Sequence, residues 1–479
     1  MQRITSIREQ KKFKTNLTFL IIFSLFMDLG EILIGYIISC TNQTTTTFNV
    51  KFDFVNENQA LYQGLIGSSG VLGMTIGAIS GGKIMQGGRK WAFQFSSIIG
   101  VIGSGISLIE NIPAILIGRT LFGFACGVQS VCIPRFIEET VPQHQYQVYS
   151  TIATLCQGVG SLIAMAMGEG FQDDSDTEAL KKSGFWRVIF GFPLVLYVVC
   201  IIGVQFYVKY ESVKYCIFND RREEAKKMIK NVYHKSENPE EIIIGFEINT
   251  QRDTSFVTLK QAMSSDKYRK GTILVIILII FHELTGINAI LLYSNTMFKQ
   301  MGLQKPRLGT YGLGVAQLFG LGIAIWMLKK VGRRLLLITG HFLMATCHLL
   351  IGIFAYQNMS IWVAVMMISF IMTYQITNGP VIWLYTSEVV VDTALGACIF
   401  TLWGTVLVLS LTTNFLMNSA LRPQGVFWLF SGISIFGGIY CIIFIRETKG
   451  LTDKEKKTLY SPQNLKSSAA FQQHESIEF

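Results

Sequence analysis

The feature that most limits this chain is the recurrence of apolar runs long enough to cross a bilayer. Twelve can be read, at about 17–39, 61–82, 92–109, 113–134, 148–168, 187–208, 272–293, 309–328, 334–355, 361–385, 395–418 and 426–445. As a helix, ~20 apolar residues cover the ~30 Å of bilayer hydrocarbon. Charged residues make up only 15% of 479, too few for an ordinary soluble domain of that size. The runs therefore predict an all-α membrane protein of twelve transmembrane helices. The third run is the tightest, because Glu110 and Pro113 leave it little room before the fourth.

A net charge of +10 raises nucleic acid as a partner, but the basic residues sit where membrane topology needs them. Arg3, Arg8, Lys11, Lys12 and Lys14 precede the first run, Lys83, Arg89 and Lys90 follow the second, and Lys329, Lys330, Arg333 and Arg334 flank the turn after the eighth. These segments share one side only if both termini are cytoplasmic, so the partner is the lipid bilayer and no nucleic acid is expected. The expected location is the plasma membrane. Asn42-Gln43-Thr44 and Asn358-Met359-Ser360 are then glycosylation sequons in exposed loops of the other face. The first run is too long for a cleaved signal peptide. Nine cysteines without metal-ligand spacing read as small buried residues, and no metal or cofactor is expected.

One long hydrophilic stretch divides the runs six and six. The expected domains are thus a tail over 1–16, a six-helix bundle over 17–208, a linker of short amphipathic helices over 209–271, a second bundle over 272–445 and a tail over 446–479. The second half repeats the first. Gly88-Arg89-Lys90 recurs as Gly332-Arg333-Arg334, Glu139 as Glu388, and Glu211-Ser212 as Glu447-Thr448, each after the second, fourth or sixth run of its half. Repeats at that scale predict two pseudo-symmetric bundles related by an axis normal to the membrane. Arg89, Arg333 and Arg334, with Glu139, Glu211, Glu388 and Glu447, are expected to pair when the cytoplasmic side closes and to part when it opens.

Polar residues inside the runs mark the place of function, since polar groups at membrane depth face a cavity or a partner. The stretch from Thr272 to Phe298 carries His282, Glu283 and Asn288. On an unbroken helix Glu283 and Asn288 lie roughly 140° apart. For both to reach one cavity the helix must bend or unwind, and Gly286 permits that. Asn378-Gly379-Pro380 predicts a kink in the tenth run. Trp383 then offers an aromatic face, and Asn378, Gln317 and Asn414 offer amides, a set suited to a neutral polyol. Asp28 in the first run and Arg119 in the fourth each need a partner at that depth, and each is the other's nearest candidate by type.

Together these residues resemble the sugar porter family of the major facilitator superfamily, over most of the chain from about Asp28 to Gly450. The resemblance rests on Pro134-x-Phe136-x-x-Glu139-x-x-Pro142, Glu211-Ser212 before Tyr215, Gly286-Ile287-Asn288-Ala289, Gly379-Pro380-x-x-Trp383 ahead of Glu388, and Glu447-Thr448-Lys449-Gly450. It implies sugar contacts at Asn288, Gln317, Trp383 and Asn414, and a fifth-run contact at Gln157 or, by ungapped reading, Thr154. It implies an outer-gate aromatic at Tyr293, an inner charge network that includes Arg119, and proton coupling through Asp28 and Arg119. The chain departs from the family's pattern at His282-Glu283, where relatives carry Gln-Gln, and at Met85 and Lys329, where they carry Asp.

The function so implied is transmembrane transport of a hexose-like monosaccharide by alternating access, in proton symport. Facilitated diffusion of a sugar or polyol is the alternative, and a non-transporting sugar sensor on the same fold is the third reading. His282-Glu283-Leu284-Thr285-Gly286 begins like a zinc-protease helix, but Gly286 stands where the second His must be, so no enzyme is expected.

Overall fold

In the computed structural model, residues 13–54, 57–171, 176–252, 259–451 and 453–462 are described. The basic residues Arg3, Arg8, Lys11 and Lys12 lie outside them. The first half contains α1 (Leu17–Lys51), α2 (Glu57–Ile84), α3 (Arg89–Ile106), α4 (Ile112–Thr140), α5 (Gln143–Ala166), the short α6 (Thr177–Lys182) and α7 (Trp186–Tyr207). The insert holds α8 (Val213–Phe218), α9 (Arg222–Val232), α10 (Pro239–Arg252) and α11 (Leu259–Ser264). The second half contains α12 (Arg269–Leu284), α13 (Ile287–Gln300), α14 (Pro306–Lys330), α15 (Arg333–Tyr356), α16 (Ser360–Ile376), α17 (Asn378–Val389), α18 (Asp392–Met417) and α19 (Arg422–Phe444), and α20 (Asp453–Lys457) follows.

Among the described residues, eleven segments are long and apolar enough to cross a membrane, with α12–α13 and α16–α17 each forming one broken span. The twelfth helix, α3, has 18 residues and packs along α4 and α7. Glycines let α2 and α4 touch backbone to backbone: a Cβ on Gly123 would collide with the Gly70 carbonyl, and one on Gly73 with the Thr120 carbonyl. The insert folds as amphipathic helices. On α9, Ala225, Met228, Ile229 and Val232 form one buried stripe. The chain start pairs with it, Asn16 N–H donating to the Val232 carbonyl at 2.8 Å.

The first helix departs from expectation. It runs past residue 39 to Lys51 and carries Asn42-Gln43-Thr44 in its buried part, so the first sequon is not in an exposed loop. Thr44 and Thr45 hydroxyls donate back to the Thr41 carbonyl at 3.0 Å each, which satisfies them without water. The second sequon residue, Asn358, is exposed between α15 and α16.

Candidate functional site

Gly286 takes φ +86°, a left-handed conformation that favours glycine, and a Cβ there would strike the Phe430 ring. The helix therefore stops at Leu284 and restarts at Ile287 on a new heading. The break brings the two polar side chains together: Asn288 Nδ2 donates to Glu283 Oε2 at 2.6 Å. His348 from α15 donates from Nε2 to the Thr285 carbonyl at 2.9 Å, holding a backbone group that the break leaves free. The second break is at Thr377, between α16 and α17, three residues before Pro380. The Pro380 ring conflicts with the carbonyl four residues earlier, at Ile376, and the ring brings no N–H to bond it.

Both breaks face a cavity between the halves, about 720 Å³ with the open space at its mouth counted in. Of the residues singled out in the sequence, Gln157, Glu283, Asn288, Gln317 and Trp383 line it, as does Thr154. Gln317 Oε1 and the Trp403 indole Nε1 are buried on this wall without a hydrogen-bond partner. Trp383 is 41% exposed whereas Asn288 is 8% exposed, so the cavity wall reaches open space on the Trp383 side. Tyr374, Gln375 and Trp403 also line it and were not singled out in the sequence. Gln375, polar within an apolar run, carried a usable signal; Trp403 is one aromatic among many and carried none.

Three expected contacts do not line the cavity. His282 lies behind Glu283, with Nε2 2.9 Å from the Tyr374 hydroxyl. Asn378 packs its amide against the His341 ring at 2.6 Å. Asn414 donates to Gln63 Oε1 at 3.3 Å, joining α18 to α2. Each of these side chains is spent on holding helices together.

The expected Asp28–Arg119 pair is not made either. Asp28 accepts from the Ser24 hydroxyl at 3.0 Å. Arg119 donates to the Ile66 carbonyl at 3.0 Å and to Cys40 Sγ at 3.3 Å. On α1 Arg119 meets Cys40, and Asp28 lies about 18 Å back along the helix at ~1.5 Å per residue.

The charge networks lie at the face that carries the insert and both described chain ends, and each is internal to its half. In the first, Arg89 pairs with Glu139 at 2.7 Å, the Ser212 hydroxyl donates to the other Glu139 oxygen, and Glu211 accepts from the Lys90 and Trp91 amides at the start of α3. In the second, Arg333 pairs with Glu388 at 3.2 Å, the Thr448 hydroxyl donates to Glu388 at 2.6 Å, and Glu447 accepts from the Arg333 and Arg334 amides at the start of α15. The Arg334 guanidinium goes to the Ile442 carbonyl at 2.8 Å. These contacts tie helices within each half and do not bridge the halves. Burial pushes the Glu447 carboxyl up, but four backbone amides outweigh it and hold the group below the usual carboxylate range. At Glu211 burial is deeper and wins over its amides, so that carboxyl sits above the usual range.

Hydrogen bonds that do cross between the halves sit toward the opposite face. Asn42 donates to the Leu291 carbonyl at 3.1 Å and to Ser294 Oγ at 2.6 Å, and accepts from the Asn295 amide at 2.9 Å. Gln63 meets Asn414 there. The Tyr293 hydroxyl, which donates to the Ser410 carbonyl at 2.5 Å, lies against Gly67 of α2. The cavity is thus sealed from that face.

Comparison with known proteins agrees with this architecture. A family model described as "Sugar (and other) transporter" matches residues 23–460. Hexose transporter 1 of Plasmodium vivax is 26% identical over 457 residues, covering 88% of this chain and 89% of the relative. The glucose transporter GlcP of Staphylococcus epidermidis is 27% identical over 409 residues, covering 82% and 87%. Among solved structures, the inward open conformation of the xylose transporter XylE from E. coli superimposes with a TM-score of 0.77 at 20% identity, over 92% of this chain and 99% of that one.

Proposed function

The chain belongs to the sugar (and other) transporter family of the major facilitator superfamily, and on that premise we propose that it carries a hexose-like monosaccharide across the membrane by alternating access. The observation that carries this reading is the cavity between the halves. Amides of Gln157, Asn288, Gln317 and Gln375 and the indoles of Trp383 and Trp403 share one wall. Amides answer sugar hydroxyls as both donors and acceptors, and indoles cover the apolar faces of the ring. The moving bodies are the bundles over 17–208 and 272–445, joined by the insert over 209–271. Lys83, Arg89, Lys90, Lys329 and Arg333 gather at the face carrying the insert, which supports a cytoplasmic placement of that face and of both termini. The conformation described is then the one closed to the outside. We read the chain as a transporter and not an enzyme.

The coupling has two readings. Symport needs a titratable group linked to the sugar's path. Facilitated diffusion is favoured by Arg119 bonding the Ile66 carbonyl and Cys40 Sγ and not a carboxylate. Reconstitution into liposomes tests both levels. Labelled D-glucose should exchange against internal unlabelled sugar, and absence of exchange for hexoses, pentoses and polyols alike would refute transport. An imposed pH gradient should then accumulate the sugar under symport and leave its distribution unchanged under facilitated diffusion.

A further inference from the structure

Glu283 is the one carboxyl on the cavity wall, and no Lys, Arg or His shares that wall with it. It is 2% exposed. Its Oε2 is held by Asn288, and its Oε1 lies 3.7 Å from His282 Nε2. That ring nitrogen is engaged by the Tyr374 hydroxyl, and His282 Nδ1 is buried with no partner. An imidazolium at His282 would bury an N–H with nothing to accept it, so His282 is not a counter-ion. The other nearby rings face elsewhere, His341 to the Leu337 carbonyl and Asn378, His348 to the Thr285 carbonyl. From α1, α5, α14, α17 and α18 the wall brings amides, hydroxyls, indoles and aliphatic groups.

An ionised Glu283 is therefore an anion with one amide donor, Asn288, and no fixed counter-ion, screened otherwise by cavity water. A sugar entering the cavity displaces that water, and occlusion for the crossing removes the rest, which leaves a buried charge with no counter-ion and its desolvation uncompensated. The protonated carboxyl escapes this cost. Its C=O still accepts from Asn288, and its O–H is a donor to the sugar, so it offers the same pair of functions as a glutamine amide.

We propose that Glu283 carries the coupling proton: a proton from the aqueous phase binds Oε1 as the sugar enters, crosses with it, and returns to water on the other side as the sugar leaves. One O–H bond forms and the same bond breaks, with no redox change. This rests on the transport reading above and deepens it, placing proton and sugar in a single site.

Calorimetric titration of purified protein with D-glucose, in buffers of different ionisation heat, counts the protons. Once the empty site is ionised, wild type should take up about one proton per glucose, with affinity falling about tenfold per pH unit. The E283Q variant should bind glucose with an affinity that does not change across the neutral range and take up none. In liposomes it should exchange glucose but no longer accumulate it on a pH gradient. Glucose bound by wild type without proton uptake at any pH, into the alkaline range where the empty carboxyl is ionised, overturns the proposal even if E283Q does not fold, and so does uptake retained in E283Q. Glucosamine bound progressively tighter than glucose as pH rises also overturns it, showing the anion to be a counter-ion for a cationic sugar. If neither protein binds D-glucose, D-xylose or myo-inositol, the transport reading itself fails and this inference with it.

Discussion

Five positions separate Glu283 from Asn288, and their 2.6 Å contact exists only because the helix is interrupted between them. Asn288→Ala removes that donor and one amide from the wall. At about 0.5–1.5 kcal/mol per hydrogen bond, D-glucose affinity should fall by about tenfold. The fold should survive, since Asn288 faces a cavity and its truncation breaks no hydrogen bond to another span, and equilibrium binding beside thermal unfolding separates the two effects. Unchanged affinity would remove Asn288 from the site. Single residues also show where reading from sequence stops. Asp28 and Arg119 are both membrane-depth charges, and residue type alone pairs them. Their axial positions do not, because the register of α1 against α4 is set by side-chain packing that hydropathy does not encode. Asn378 and Asn414 were legible as buried amides, but an amide that joins helices and one that meets a ligand look alike in a sequence.

At the scale of elements, the breaks were readable because each has a local cause: a glycine between polar residues at Gly286, and Gly379-Pro380 in an apolar run. The second break falls at Thr377, upstream of the motif, since proline disrupts the turn before it. The repeated loops were equally readable, and the structure shows their use. Glu211 and Glu447 each cap the amino end of the helix that follows a Gly-Arg turn, α3 in one half and α15 in the other, where an anion meets free amides. The two caps differ in their response to acid. Glu447 lies below the usual carboxylate range in the fold, so its stabilisation is present above that range and is lost as pH falls through the folded value. Glu211 lies above the range, so the fold favours its protonated form and gains nothing from its charge at neutral pH. Thermal unfolding of E447Q against wild type should therefore show a Tm deficit at neutral pH that closes on acidification. E211Q should show a smaller deficit at neutral pH. Equal, pH-independent deficits would contradict this assignment.

At the scale of the whole molecule, the halves meet along a polar seam that hydropathy hides. The first apolar run ends near residue 39, yet α1 continues to Lys51, because Asn42 is paid in hydrogen bonds from the other half and not in water. Three such bonds cross at this one side chain, to Leu291, Ser294 and Asn295. They can exist only while the side away from the insert is closed. At about 1 kcal/mol each, their loss should move the balance between closed and open seam by about a hundredfold. Asn42→Val keeps the volume similar and deletes all three. Spin labels at Asn58 and Ala420, exposed residues near the α2 start and the α18 end, report the separation of the halves on that side. Pulsed dipolar distances should show one short population in the parent and a second, longer one in Asn42→Val. The face bearing the insert should close in step, because a cavity that opened at both ends would be a channel and would dissipate the gradients that alternating access preserves. A single short distance in both proteins would mean that the seam is held by the α2–α18 packing at Gly64 and the Tyr293 contact at Gly67, with Asn42 contributing only to the stability of α1.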